Sequence, residues 1–308
     1  MSGLRAAAEN YVAIRRSLGF KLNQTGRLLP DFIDYLDNAG AATITTDLAL
    51  AWATLPAGAD PAWWGQRLSV VRCFARYLQT IDPNCEVPPA GLVGSRPQRA
   101  TPYLFSPADI ARLIAAARTL APPLRAATCH TLIGLVAVTG MRIGEVLALD
   151  RDDVDLAAGL LTIRHAKGDT TRQLPLHASV VEALAAYAAV RDQHFPASTS
   201  PALFVSATAT RLSYRTFHAA FRQLTRQAGF TPRSKRCRPC PMSLRHSFAV
   251  NTLTGWYRDG IDVEARLPLL STWLGHVNPA NTYWYLSATP QLLDLACRRL
   301  EASLGRLP

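Results

Sequence analysis

Acidic residues are missing from one long stretch of this chain: from Gln193 to Arg258 there is no Asp or Glu. The same stretch holds Arg211, Arg215, Arg222, Arg226, Arg233, Lys235, Arg236, Arg238, Arg245 and Arg258. A field of one sign over that length repels itself, and a phosphate backbone is its natural counter-charge. The net charge of +11 points the same way, to nucleic acid rather than a membrane surface. Also absent is any apolar run near the roughly 18 residues that a membrane span needs. The first helical stretch carries Arg5, Glu9, Arg15 and Arg16 and no apolar core. A secretory signal is therefore not expected there, and a cytoplasmic location is.

Cysteine is sparse. Of six, only Cys237 and Cys240 lie close together, as a lone CxxC within SKRCRPCPM. A structural zinc site needs four ligands, and no second CxxC or HxxxH follows at suitable spacing. The pair sits in an Arg- and Pro-rich loop rather than at a βα junction, so reduced thiols are expected. No P-loop signature, internal repeat or low-complexity tract is present. What remains, 49% apolar and 18% charged over 308 residues, is a folded globular composition with length enough for two cores.

Apolar spacing of three and four predicts helices over Leu4–Leu18, Pro30–Leu36, Asp47–Ala53 and Trp63–Leu78. The last places Arg67, Arg72 and Arg76 off its apolar face, either along DNA or simply toward solvent. From Asp82 the periodicity stops: Pro83, Pro88, Pro89, Pro97 and Pro102 with Gly91 and Gly94 mark a linker. Ser106-Pro107 then opens a helix with an N-cap and a proline in its first turn. Leu132–Val138 reads as a buried helix ending at Thr139-Gly140, followed by a short one over Gly144–Leu149. Leu160–Arg164 and Arg172–Leu176 have strand character, joined through a turn at Ala166-Lys167-Gly168-Asp169. Val180–Val190, Tyr214–Ala228, Ser243–Leu253 and Leu292–Leu304 are again helical.

Five residues then stand out for their types and order: Arg142 in TGMRIGEVLALD, Lys167 in RHAKGDTTRQLPL, Arg245 in SLRHSF, and His276 and Tyr285 in WLGHVNPANTYWYL. Each has an ordinary alternative. Arg142 can pair with Glu145, Lys167 can be a solvated turn residue, and Arg245 a structural arginine. His276 can cap a helix, and Tyr285 can pack among Tyr283, Trp284 and Leu286. Together, three fixed cations, an imidazole and a phenol suit the holding of a phosphodiester while a phenolic oxygen attacks it. Only about one phenol in a thousand is ionised at pH 7, a cost of roughly 4 kcal/mol, so nearby cations or a base must activate it. Two forked guanidiniums meet the charge growing on the non-bridging oxygens, each donor contributing about 3 kcal/mol.

These motifs resemble the tyrosine recombinase (phage integrase) family. TGMRIGEVLALDRDDVDL resembles its first arginine box, KGDTTRQLPL its β-hairpin and LRHSFA its second arginine box. LGH with a tyrosine nine positions later resembles its last box. The resemblance implies Arg142, Lys167, Arg245, His276 and Tyr285 as catalytic residues, Tyr285 as nucleophile and Lys167 as the acid for the 5′ oxygen. It spans about residues 106–300 and implies a mainly α fold with a small β-sheet. The expected parts are a helical core-binding domain (1–82), a linker (83–105) and a mixed α/β catalytic domain (106–308) ending in a helix that docks on a neighbouring subunit. Further implications are a C-shaped clamp on double-stranded DNA, a homo- or hetero-tetramer of protomers, service to a mobile element, and no metal or cofactor. A topoisomerase of the related type and an accessory DNA-binding protein that no longer cuts are the competing readings. The second draws on one departure: the family has histidine three residues before the second arginine, and here Met242 stands there. A thioether neither donates nor relays a proton. His246 is expected to substitute poorly, since one step along a helix from Arg245 turns the side chain by about 100°. A slower enzyme, or one needing a partner recombinase, follows.

Overall fold

The three- and four-residue spacing of the first eighty positions becomes four helices: α1 (Gly3–Ser17), α2 (Thr25–Asn38), α3 (Thr46–Thr54) and α4 (Pro61–Leu78). The structure, a computed structural model, describes residues 3–93, 101–164, 170–287 and 289–304. It divides into two units, Met1–Arg99 and Ala100–Pro308.

In the first unit the apolar faces converge on Phe32, Trp52, Val71 and Phe74, all essentially without solvent contact. Thr45 and Asp60 cap α3 and α4 through their side chains, satisfying backbone donors that a helix start leaves open. Helix α2 begins at Thr25, ahead of the expected start at Pro30, and runs through that proline. The ring removes one intrahelical hydrogen bond, but Leu28, Leu29, Phe32 and Ile33 on either side of it are buried and hold the helix together. Arg67 also differs from expectation. It is buried, stacked 3.7 Å over the ring of Trp52 and donating to the Trp52 carbonyl at 2.9 Å. Arg72 donates to the carbonyls of Pro88 and Pro89. Of the α4 arginines expected to face DNA or solvent, only Arg76 is exposed.

The second unit continues with α5 (Pro107–Arg118), α6 (Pro123–Thr139) and α7 (Ile143–Ala148). A three-stranded antiparallel sheet follows, β1 (Val154–Asp155), β2 (Leu160–Ile163) and β3 (Arg172–Pro175). Then come α8 (Ala178–His194), α9 (Tyr214–Gln227), α10 (Pro241–Arg258), α11 (Val263–Leu274), α12 (Ala280–Tyr283), a 3₁₀ turn over Trp284–Ser287, and α13 (Pro290–Leu304). Ser106 caps α5 in a reciprocal box with Asp109. Helix α6 is buried along most of its length and packs against α5, α8 and α10. Sheet register pairs Leu161 with Leu174 and Ile163 with Arg172. Directly opposed residues share a face, so Arg172 emerges on the same side as buried Leu161, Ile163 and Leu174. A smaller core joins Leu253 of α10, Leu267, Leu270 and Leu274 of α11, Tyr285, and Leu292 of α13. The segment read as a linker enters both interiors: Cys85 belongs to the first core, Tyr103 and Phe105 to the second. Among the described residues no helix is long and apolar enough to cross a membrane.

Candidate active site

Two helix ends create the site. Helix α6 stops at Gly140 (φ +64°) and α11 at Gly275 (φ +66°), both left-handed and closed by the carbonyls behind them. Side chains are excluded for a second reason. A Cβ on Gly140 would come within 2.4 Å of Phe248, and one on Gly275 within 2.6 Å of the Arg172 guanidinium. The carbonyls at these ends then hold the two arginines. Arg245, buried on α10, donates to Gly140 O and to Leu274 O, each at 2.8 Å. Arg142, at the N-cap of α7, donates to Gly275 O at 2.8 Å. Carbonyls at helix C-termini carry partial negative charge, which suits cations.

Glu145 ties the hairpin to this frame. Its carboxylate accepts from Arg142 at 2.7 Å and from Arg172 at 2.8 Å, while Arg172 also donates to Trp273 O at 3.1 Å. Burial alone would raise the Glu145 pKa, but the hydrogen bonds from Arg172 and Arg142 outweigh it and the net shift is downward. Arg245 moves to about 10, chiefly through burial and then through the nearby charge of Arg142, with Tyr285 and Glu145 opposing. It remains a cation at neutral pH.

The ring of His276 has a defined tautomer. A guanidinium can only donate, so the 2.9 Å contact between Arg245 and His276 Nε2 makes Nε2 the acceptor. The neutral ring then carries its proton on Nδ1 and donates to Thr282 Oγ1 at 2.7 Å. Tyr285 lies in the 3₁₀ turn, 3% exposed, with its ring stacked on His276 at 6.2 Å and 19°. Its hydroxyl lies 3.1 Å from Nδ1 of His246.

Arg142, Arg245, His276 and Tyr285 thus come together from three separate sequence motifs. Lys167 lies outside the described residues. Met242 is exposed in the first turn of α10. The expectation that His246 would turn away is corrected. The relevant interval runs from 242 to 246, one helical turn, so His246 shares a face with Met242 and reaches the phenol. Arg172 and Thr282 were not anticipated; a charged residue within a strand reads as solvent-facing, and a threonine in a one-turn helix too short to show a period gives no signal. Cys237 and Cys240 are free thiols, Cys240 Sγ lying 3.4 Å from Ser243 Oγ. Among the described residues no three His, Cys, Asp or Glu side chains are grouped to hold a metal.

Residues 104–291 match the phage integrase family. The chain is 45% identical over 307 residues to y4rB of Sinorhizobium fredii, named for the integrase/recombinase class, covering 98% of each. It is 34% identical over 218 residues to the tyrosine recombinase XerC of Azotobacter vinelandii, covering 71% of this chain and 67% of that one. Its fold resembles the XerH site-specific recombinase bound to palindromic difH substrate, with TM-score 0.69 at 20% identity over 91% of this chain and 80% of that chain. The Tn1549 transposon integrase in complex with transposon right end DNA gives TM-score 0.67 at 15% identity over 96% of this chain and 98% of that chain. The match over most of the second unit, with a 45% identical relative over nearly the full length, establishes that this chain belongs to the phage integrase family of tyrosine recombinases.

Proposed function

We propose that this protein cuts and rejoins double-stranded DNA at specific sites through a 3′-phosphotyrosyl intermediate, with Tyr285 as nucleophile. One observation carries the reading: Arg245 is held between two helix ends, donates to His276, and His276 stacks on Tyr285. A phosphate placed against Arg142 and Arg245 would find two cations already fixed from behind by backbone carbonyls, with little reorganisation left to occur in the transition state. The guanidiniums receive the charge developing on the non-bridging oxygens, and the 5′ oxygen leaves with a proton from Lys167. Ligation runs the same steps backwards, so the energy of the broken linkage is kept in the tyrosyl phosphodiester. Protomers assemble on paired sites as a tetramer, and relatives named for integrases and transposons support service to a mobile element.

A suicide substrate, nicked so that the cleaved 5′ strand diffuses away, tests this directly. Wild type is expected to accumulate a covalent protein–DNA adduct on a denaturing gel and Tyr285→Phe to form none. Arg245→Lys is expected to cleave at least about 10²-fold more slowly, because a lysine cannot reproduce the fork that spans Gly140 O, Leu274 O and the histidine. The second reading, an accessory DNA-binding protein, is favoured by one feature, Met242 in place of a histidine. DNA binding without any adduct in wild type would select it.

A further inference from the structure

We infer that His246 accepts the phenolic proton of Tyr285 during cleavage, an inference that rests on Tyr285 being the nucleophile. Three basic side chains lie around the phenol, and their geometry separates them. Arg245 has no lone pair to offer. His276 has its one lone pair, on Nε2, turned to Arg245, and its ring lies nearly parallel to that of Tyr285 at 19°. That lone pair is already engaged by the guanidinium and is not offered to the phenolic proton. His246 is inclined at 58° to the tyrosine ring and brings Nδ1 to 3.1 Å from the hydroxyl, within the range a general base requires. Trp284 fixes the imidazole from another side in an edge-on contact at 5.5 Å.

This placement answers the deficiency at position 242. Met242 projects from the first turn of α10 and can take no proton. His246 stands one turn further along the same helix, on the same face, and supplies from there an imidazole that meets the phenol. The step balances without a co-reactant. As Tyr285 Oη bonds to phosphorus, its proton passes to Nδ1 of His246. The P–O5′ bond breaks with its electron pair on the 5′ oxygen, which is protonated by Lys167. In ligation His246 returns its proton to the departing phenolate.

The experiment is single-turnover cleavage of the nicked suicide substrate by the full chain, with DNA affinity measured alongside to confirm folding. His246→Asn keeps a polar atom near the Nδ1 position but cannot take a proton at neutral pH. It is expected to lose about 10²-fold or more in cleavage rate with affinity unchanged. In the His246→Asn background, replacing Tyr285 by a difluorotyrosine, whose phenol ionises near neutral pH, is expected to restore at least about tenfold of that loss. Wild-type cleavage by His246→Asn would overturn the inference. So would a loss that the fluorinated phenol does not relieve, which would make His246 a packing residue. Adduct formed by Tyr285→Phe would instead overturn the nucleophile assignment beneath it, so the two failures are distinguishable.

Discussion

Glu145 is a largely buried carboxylate shared between two guanidiniums, and removing its charge would leave Arg142 and Arg172 facing one another at the C-terminal end of α11. Breaking a pair of this kind costs about 3 kcal/mol. Glu145→Gln is expected to lose that amount at pH 7 in urea unfolding followed by tryptophan fluorescence. The pH dependence has a definite sign. The folded-state pKa of Glu145 lies below its ordinary value of 4.5, so the folded chain binds that proton more weakly than the unfolded one. The stabilisation is therefore complete above 4.5 and fades as pH falls through the lower folded value. The gap between parent and variant should narrow over that acidic window; a gap that stays constant would assign the loss to packing. Individual residues were unevenly legible. Arg142, Arg245, His276 and Tyr285 each sit in a motif with its own local spacing, and so could be read one box at a time. Arg172 acts through a long-range pair with Glu145, and His246 through a long-range contact with Tyr285, which linear spacing does not encode.

Helix α13 packs on its own unit, with Leu292 fully buried beside Tyr285 and Arg299 donating to Ile261 O. The helix and the 3₁₀ turn bearing the phenol therefore share one core. A 3₁₀ turn has poorer hydrogen-bond geometry than an α-helix, so side-chain packing has to hold it. Leu292→Ala is expected to destabilise the second unit by about 3 kcal/mol. Amide hydrogen exchange should then rise first across Trp284–Ser287; exchange rising instead in α6 would show that the two elements do not depend on one another. Helices with a single apolar stripe and a clear start, such as α5 behind Ser106-Pro107, were legible before folding. Helix α11 was not. It holds Pro268 internally and is apolar around much of its circumference, so neither its period nor its boundary stands out.

At the scale of the whole molecule, the acid-free stretch divides into two populations. Arg245 is buried in the site, and Arg211 closes the end of α7 by donating to the carbonyls of Leu147, Ala148 and Leu149. Arg215, Arg222, Arg226, Arg233, Lys235, Arg236, Arg238 and Arg258 are exposed. Composition revealed the charge but not this division, because a guanidinium that caps a helix and one that meets a phosphate look alike in sequence. If these eight exposed cations neutralise phosphates, log Kd should rise with log salt at a slope approaching about 7. Fluorescence anisotropy with a duplex target from low to moderate salt measures it, and a slope near 1 would remove the stretch from the binding surface. The fixed cations have a different dependence. The guanidiniums of Arg142 and Arg245 are both anchored on main-chain oxygens, at Gly140, Leu274 and Gly275. Given the two glycines that shape these helix ends, the contact is to backbone, so the anchorage is indifferent to most changes in neighbouring side chains. DNA preference can therefore drift through mutation of the surface while the chemistry stays in register, a separation that lets one scaffold be redirected to new targets.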